Sequence, residues 1–303
     1  MTAASDLPVL AIDIGGTKIA TAEVSGVGIA NRRLAPTPRT GRGDDLIAAV
    51  AEFAPKGGFG AIGVATTGIV RDGALTALNP ETLPIENGYP IASAIERAFG
   101  TPPLVVNDAQ AAAWAEFTLG AGKGFRNFAF FTVSTGIGCG LVVNGRLERG
   151  VTGLAGHVGH TRSEPGGILC GCGRRGCLET VASGTALARA GSERLGRPVT
   201  APDLFKVAAE GESTAIEIIA GAIAALVNAF ADLTASIDVD CFAVGGGVGL
   251  ADGFIEALQA RSLDLPHVYR RPIVAAQAGA NAGLLGAAML ARSAVSDGNF
   301  HPI

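Results

Sequence analysis

The sequence predicts an α/β protein of two lobes, and three observations carry that expectation. At 303 residues the chain is longer than a single hydrophobic core usually grows, roughly 250–300 residues. Apolar runs with strand and helix spacing alternate along it, the pattern of α/β architecture. A strand, a glycine turn and a returning strand occur twice, at residues 9–24 and again at 128–143.

In the first of these, residues 9–14 read as a strand, Gly15-Gly16 as a tight turn and residues 19–24 as the antiparallel return. A helix at 44–53, a strand at 61–65 and a helix at 91–99 follow. Residues 104–106 form a short strand, after which Asn107-Asp108 opens a helix through residue 117, rich in good helix formers. The second device has a strand at 128–133, a glycine-rich stretch at 134–140 and a strand from 141, turned by Asn144-Gly145. Beyond it come a cysteine loop, alanine-rich helices, a strand at 241–244 leading into Gly245-Gly246-Gly247, and a last helix at 283–292. The lobes are expected to meet near 110–120, giving a first lobe of 1–114 and a second of 115–282.

Composition narrows the function. Apolar residues make up 48% and charged residues 17%, enough to bury sizeable cores and contrary to disorder. The 44 glycines are about twice the usual share of ~7% and cluster after apolar runs, where backbone turns or approaches a ligand. With a net charge of −4 and no block of Lys or Arg, no nucleic-acid partner is expected, and a small molecule is the default substrate. The first eight residues have no charged n-region, and the apolar run after them stops at Asp13. Residues 216–233 are apolar but carry Glu217, Asn228 and Asp232 and read as a buried helix, so no membrane is expected. The cytoplasm is the expected location, where five cysteines fit a metal cluster better than a disulfide framework.

Asp13-Ile14-Gly15-Gly16-Thr17-Lys18 places a carboxylate at a strand end, then glycines that admit close backbone approach, a hydroxyl and an ammonium, all phosphate-handling groups. Neither a P-loop nor a dinucleotide fingerprint fits, and alone the pair of glycines reads as a hairpin turn. Two further loops, Ser134-Thr135-Gly136-Ile137-Gly138-Cys139-Gly140 and Gly245 to Gly249, also follow strands. Together the three resemble the nucleotide sites of the actin and sugar-kinase superfamily. That resemblance implies two ribonuclease-H-like lobes of the actin-like ATPase type, with an interlobe cleft closing over ATP and the helix at 283–296 packing back on the first lobe. It implies Gly15, Gly16, Thr17 and Lys18 at the terminal phosphates, Thr135, Gly136 and Gly138 opposite, and Gly246 and Gly247 near the adenosine. Asp13 matches the position that organises Mg²⁺, often through water.

Either Asn107 or Asp108 suits an N-cap. A helix N-terminus favours negative charge, so Asp108 is expected ionised at neutral pH unless burial raises its pKa. An ionised carboxylate there is the base that phosphoryl transfer calls for. Thr66-Thr67-Gly68, Asn79-Pro80 and Glu179 offer the amides, hydroxyls and carboxylate that hold sugar hydroxyls, although Asn-Pro and Thr-Thr-Gly also serve as plain turns and strand ends.

His160, Cys170, Cys172 and Cys177 have the ligand types of a closed structural zinc site. Glycines 171, 173 and 176 let the backbone wrap an ion, which ranks zinc above a redox pair or three unrelated thiols. Such a site leaves no open position for catalysis and would hold the loop presenting His157 and Glu179. Gly156-His157-Val158-Gly159-His160, Cys170-Gly171-Cys172-Gly173-Arg174-Arg175-Gly176-Cys177 and Glu179 closely resemble the signature of the ROK family (repressors, open reading frames, kinases). With Asp13 to Lys18, Asn107-Asp108 and the loop at 134–140, the match runs from about residue 9 to 290.

Membership would imply ATP-dependent phosphorylation of a hexose or N-acetylhexosamine at O6, Asp108 as base, and zinc on His160, Cys170, Cys172 and Cys177. Sugar contacts would fall to Gly68, Asn79, Asn107, Asp108, His157, His160 and Glu179, and a homodimer would be expected. One departure stands out: most members have Glu where this chain has His157, whose neutral ring can both donate and accept. Gly-His-x-Gly-His and the run at 107–117 are most similar to a branch acting on an N-acetylhexosamine. A glucokinase-like hexokinase and a sugar-sensing regulator are the alternatives.

Overall fold

A computed structural model describes residues 7–296. The chain runs β1 (Val9–Ile14), β2 (Lys18–Ser25), β3 (Gly28–Pro36), α1 (Gly43–Phe53), β4 (Ala61–Thr66), β5 (Ile69–Arg71), β6 (Ala74–Thr76), α2 (Ile91–Phe99), β7 (Pro103–Asn107) and α3 (Asp108–Leu119). It continues through β8 (Phe128–Val133), β9 (Ile137–Val143), β10 (Arg146–Glu148), α4 (Glu179–Ala182), α5 (Gly184–Leu195), α6 (Ala201–Ala209) and α7 (Ser213–Ile237). The last elements are β11 (Cys241–Gly245), α8 (Gly246–Gly249), α9 (Phe254–Ser262), β12 (Ile273–Ala275) and α10 (Ala282–Ser296).

These divide into two compact units. Unit 1 holds the described residues up to Ala115, the segment Arg149–Ala155 and those from Ala278 onward; unit 2 holds Glu116–Glu148 and Gly156–Gln277. The sequence reading leaves Arg149–Ala155 in the second lobe, whereas here it groups with unit 1. There Arg149 Nη2 donates to the Val105 carbonyl at 3.0 Å and the Gln110 amide donates to Ala155 O at 2.9 Å.

Each unit is built on a five-stranded sheet, in the order β3-β2-β1-β4-β7 in unit 1 and β10-β9-β8-β11-β12 in unit 2. The senses match as well. β1 is antiparallel to β2 and parallel to β4, and β8 is antiparallel to β9 and parallel to β11.

In unit 1 the alternation along β1 buries Leu10, Ile12 and Ile14 with Leu46, Ile47 and Val50 of α1 and Ile91 and Ile95 of α2. The opposite parity carries Ala11 and Asp13, in register with Gly63 and Ala65 of β4. α10 packs against this small-residue face: a Cβ on Gly63 would lie 2.3 Å from Ala287 O, and one on Gly286 would lie 1.8 Å from Ala111 O of α3. Only glycine permits backbones this close.

In unit 2, α7 is long and apolar enough to cross a membrane by length and composition, yet its Ala222, Ile223, Leu226, Val227 and Phe230 belong to the core with β8 and β11. Phe230 stacks on Phe242 at 4.5 Å between centroids and meets Phe131 edge-on at 4.9 Å. Cys139 of β9 and Cys241 of β11 are fully buried in the same sheet. Burial holds both thiols protonated, pushing Cys241 up to about 11 and Cys139 well above its ordinary value.

The glycine-rich stretch of unit 2 is shorter than the sequence reading has it. β9 begins at Ile137, so Gly138 pairs with Thr132 and Gly140 with Phe130, and the loop proper is Ser134 to Gly136. Ladder hydrogen bonds need no side chain, and they outweigh the weak strand preference of glycine. Residues 246–249, read as a loop, form the single helical turn α8.

Because Phe230 fills space between two other rings, Phe230→Ala is expected to destabilise the protein by about 3–5 kcal/mol. Urea unfolding measures it, and a loss well below that range would mean the cavity collapses.

Candidate active site

In unit 1, the turn between β1 and β2 is closed by Gly15 N–H donating to Lys18 O at 3.0 Å. Gly16 passes so near the 79–82 turn that a Cβ would meet Thr82 O at 2.6 Å. Two side chains missed at the sequence level pin this hairpin: Thr37 Oγ1 donates to Gly15 O at 2.7 Å, and Arg39 donates to the carbonyls of Gly16, Glu81 and Thr82. Thr17 and Lys18 project from the turn and are exposed.

Asp13 ends β1 on the face shared with α10. Desolvation, then the like charge of Asp108, pushes its carboxyl up to about 7, against the pull of Lys18 and Arg32. Among the described residues no hydrogen bond or ion pair holds this carboxylate.

The choice of cap at α3 is resolved by geometry. Asn107 is buried, and its Oδ1 accepts from Ala109 N at 3.0 Å and Gln110 N at 3.2 Å, while its Nδ2 donates to Gly68 O at 3.0 Å. With Asn107 capping, Asp108 Oδ1 accepts from Ala109 N at 2.8 Å. Burial raises the Asp108 pKa, opposed by backbone donors and Asn107, so desolvation outweighs the helix terminus and the carboxyl is a stronger base than the sequence expectation assumed. Gly68, at φ +102°, leaves room for Thr76 O at 2.8 Å from a notional Cβ. Asn79 Oδ1 accepts from Glu81 N at 3.0 Å, an Asx turn in which Thr82 N–H also returns to Asn79 O.

In unit 2, the Ser134–Gly136 turn is tied to the start of α5. Gly184 N–H donates to Ser134 O at 2.7 Å, and Thr185 donates to Thr135 O through its hydroxyl at 2.9 Å and its N–H at 3.2 Å. Glu179 reaches the same turn, its Oε2 accepting from Ile137 N at 2.9 Å, and a Cβ on Gly136 would collide with that carboxylate at 2.5 Å. Gly246 has φ +86° and crosses Val133 O, 2.4 Å from where a Cβ would sit, while Gly247 is open.

The ligand atoms of His160, Cys170, Cys172 and Cys177 all lie within 4.8 Å of one another. Cys170 Sγ is 3.5 Å from His160 Nδ1 and Cys172 Sγ is 3.7 Å from Cys177 Sγ. A tetrahedral zinc with bonds of ~2.3 Å to sulfur and ~2.0 Å to nitrogen has edges of about 3.8 and 3.5 Å, so the set fits that ion. Backbone closure builds it: Cys170 N–H donates to Arg174 O, Gly173 N–H to Cys170 O, and Gly176 crosses Glu164 O where a Cβ would stand 1.6 Å away. His157 lies beside it, its ring 6.4 Å from that of His160 and inclined by 21°.

Two sheets of one strand order, each with glycine in its first hairpin turn, define the actin-like ATPase fold. The ROK family pattern matches residues 9–294, and the chain belongs to the ROK family. It is 45% identical over 291 residues, 94% of this chain and 99% of the relative, to the N-acetylmannosamine kinase of Yersinia pestis (strain Pestoides F). Among solved structures, the ROK hexokinase of Thermus thermophilus has a TM-score of 0.83 at 36% identity, covering 96% of this chain and 100% of that one. A ROK glucokinase from Streptomyces griseus, solved with glucose and AMPPNP, has a TM-score of 0.79 at 31% identity, covering 94% and 99%.

Asp13 gives a pH prediction. Its folded pKa of about 7 exceeds the ordinary 3.8, so in that window the folded state holds a proton the unfolded chain has released, and metal-free protein loses stability as pH rises. Asp13→Asn removes this penalty and is expected to raise the melting temperature of metal-free protein more at pH 8 than at pH 5. Equal gains at both pH values in calorimetry would assign the effect to something other than ionisation.

Proposed function

We propose that this chain is an ATP-dependent kinase that transfers the γ-phosphoryl group to the 6-hydroxyl of N-acetyl-D-mannosamine, giving N-acetylmannosamine 6-phosphate and ADP. The observation that carries this reading is the 45% identity, over nearly the whole of both chains, to N-acetylmannosamine kinase of Y. pestis.

Each unit supplies part of the chemistry. In unit 1, Asp108 takes the proton of the attacking hydroxyl; Asn107, held by α3 and Gly68, fixes the start of the helix that carries it, and the raised pKa of Asp108 suits a group that must receive a proton. As that O–H bond breaks, the sugar oxygen bonds to the γ-phosphorus and the bond to ADP breaks in line. The backbone of Gly15 and Gly16 and the side chains of Thr17 and Lys18 bind the terminal phosphates. Asp13 would hold hydrated Mg²⁺, which neutralises phosphate charge when bound. Its unpartnered, desolvated carboxyl fits a cation.

In unit 2, Thr135, Gly136 and Gly138 bind phosphate and Gly246 and Gly247 admit the adenosine. Since Gly138 lies in β9, only its backbone edge near the turn can take part. His157, His160 and Glu179 bind sugar hydroxyls, with Gly68 and Asn79 contributing from unit 1. Zinc on His160 Nδ1, Cys170, Cys172 and Cys177 would fix the loop and leave His160 Nε2 for the sugar. His157, able to donate as well as accept, suits the acetamido carbonyl better than a carboxylate would. The reading extends to a cytoplasmic homodimer acting in sialic-acid breakdown, supported by the reduced ligand thiols, the ATP requirement and the family resemblance.

A second reading, glucose as acceptor, is favoured by the similarity to the S. griseus glucokinase. ADP release with MgATP against N-acetylmannosamine, N-acetylglucosamine, glucose and mannose separates the two: the highest kcat/KM on N-acetylmannosamine is expected, and preference for glucose would replace the substrate while keeping the mechanism.

Asp108→Asn is expected to lower kcat by about 10²–10⁴-fold while sugar affinity, read by calorimetry, stays near wild type. Near-normal turnover would remove Asp108 as base. Strong chelation is expected to release about one zinc per chain and to abolish sugar binding together with protection of residues 157–179 in hydrogen exchange. Full sugar affinity in protein shown to be zinc-free would overturn the metal's structural role.

A further inference from the structure

Gly283 lies in the first turn of α10. An alanine is preferred over glycine in a helix by roughly 1 kcal/mol, and Gly283 has no positive φ that would demand glycine. Its lack of a side chain therefore serves its surroundings. The three heavy atoms nearest to a Cβ built there all belong to one carboxyl group: Asp13 Oδ2 at 2.7 Å, Cγ at 3.2 Å and Oδ1 at 3.7 Å. This differs from Gly286 one turn on, whose notional Cβ meets only the backbone of Ala111, and from Gly63, which meets only the backbone of Ala287 and Ala288. Those two are glycines of backbone packing. Gly283 faces a functional side chain.

Asp13 needs such a wall. No hydrogen bond or ion pair among the described residues sets its rotamer, so its orientation depends on what it packs against, and what it packs against is the Gly283 backbone. A methyl at 283 would stand closer to Oδ2 than real Cβ contacts allow and would turn or lift the carboxylate.

We infer that Gly283 is a positioning residue: by bringing bare backbone against Asp13 it fixes the direction in which that carboxylate faces the divalent cation of the nucleotide. This rests on the reading of Asp13 as the group that organises the cation.

The test uses Gly283→Ala, Asp13→Ala and the double variant, with Mn²⁺ plus ADP as probe. Binding is followed by Mn²⁺ electron paramagnetic resonance, sugar affinity by calorimetry and stability by thermal melts. Gly283→Ala is expected to weaken Mn²⁺–ADP binding by about 10–100-fold, the range for a residue orienting a metal-binding group, with sugar affinity unchanged. In the Asp13→Ala background the same substitution is expected to leave binding unchanged and not to lower the melting temperature, because the carboxyl it would strike is gone and alanine favours the helix. Should Gly283→Ala alone prove unstable, recovery of stability in the double variant supports the inference, and instability in both backgrounds overturns it by making Gly283 a packing glycine. Wild-type Mn²⁺–ADP affinity in Gly283→Ala, with affinity lost in Asp13→Ala, overturns the inference alone. Wild-type affinity in Asp13→Ala overturns the reading of Asp13 itself.

Discussion

Unit 1 is organised around an electrostatic conflict between Asp13 and Asp108. They sit at the ends of β1 and β7, the two strands flanking β4, near enough that the charge on Asp108 contributes to raising the Asp13 pKa. Two desolvated carboxyls of like charge repel, and a fold keeps them together only where surrounding packing over-determines their positions. Here that packing is backbone against backbone. Gly63 lets α10 settle on β4, Gly286 lets it settle on α3, and the helices and strands bearing the carboxylates cannot drift apart without opening those contacts. Protons or a cation relieve the conflict, which couples the order of the unit to what it binds.

Unit 2 solves a different problem, that of making one stretch of backbone answer to two clusters of groups. Glu179 belongs to the stretch of sequence that resembles the family signature, yet its Oε2 accepts from the Ile137 N–H at the turn that opens β9. Gly136 is bare where that carboxylate arrives. Two residues before Glu179, Cys177 joins the thiol cluster, and a few residues after it Gly184 and Thr185 hold Ser134 and Thr135. Displacing any one of these therefore pulls on the others along a short length of chain.

Much of this arrangement was legible in the sequence. The strands at 9–14 and 128–133 are short, mostly apolar runs that lead into glycine-containing turns, and the hairpin repetition foretold the shared strand order. The grouping of His160, Cys170, Cys172 and Cys177 was legible from residue type and the glycines between them, and the fold brings their ligand atoms within 4.8 Å of one another. What escaped depends on contacts between residues distant in sequence. Nothing local to Thr37 or Arg39 says that they grip the 15–16 turn, and nothing in Arg149–Ala155 says that it belongs with β7 and Gln110. The glycines of β9 read as loop because their pairing with β8 is a property of the ladder. Asn107 and Asp108 were equivalent as caps until the position of Gly68 favoured one of them.

The two thiols locked in β9 and β11 have a consequence for chemistry in solution. Of five cysteines, Cys139 and Cys241 are buried in the sheet with raised pKa, and a thiol kept protonated and out of solvent is inert to alkylation. Cys170 and Cys177 are buried too, with raised thiol pKa, so a maleimide or disulfide reagent applied to folded protein would first count Cys172, the half-buried cysteine of the 170–177 loop, and would count it only when no metal covers its sulfur. The chain thus carries its own internal standard: two sulfurs in the sheet that respond to unfolding and one, on Cys172, that responds to the state of its loop.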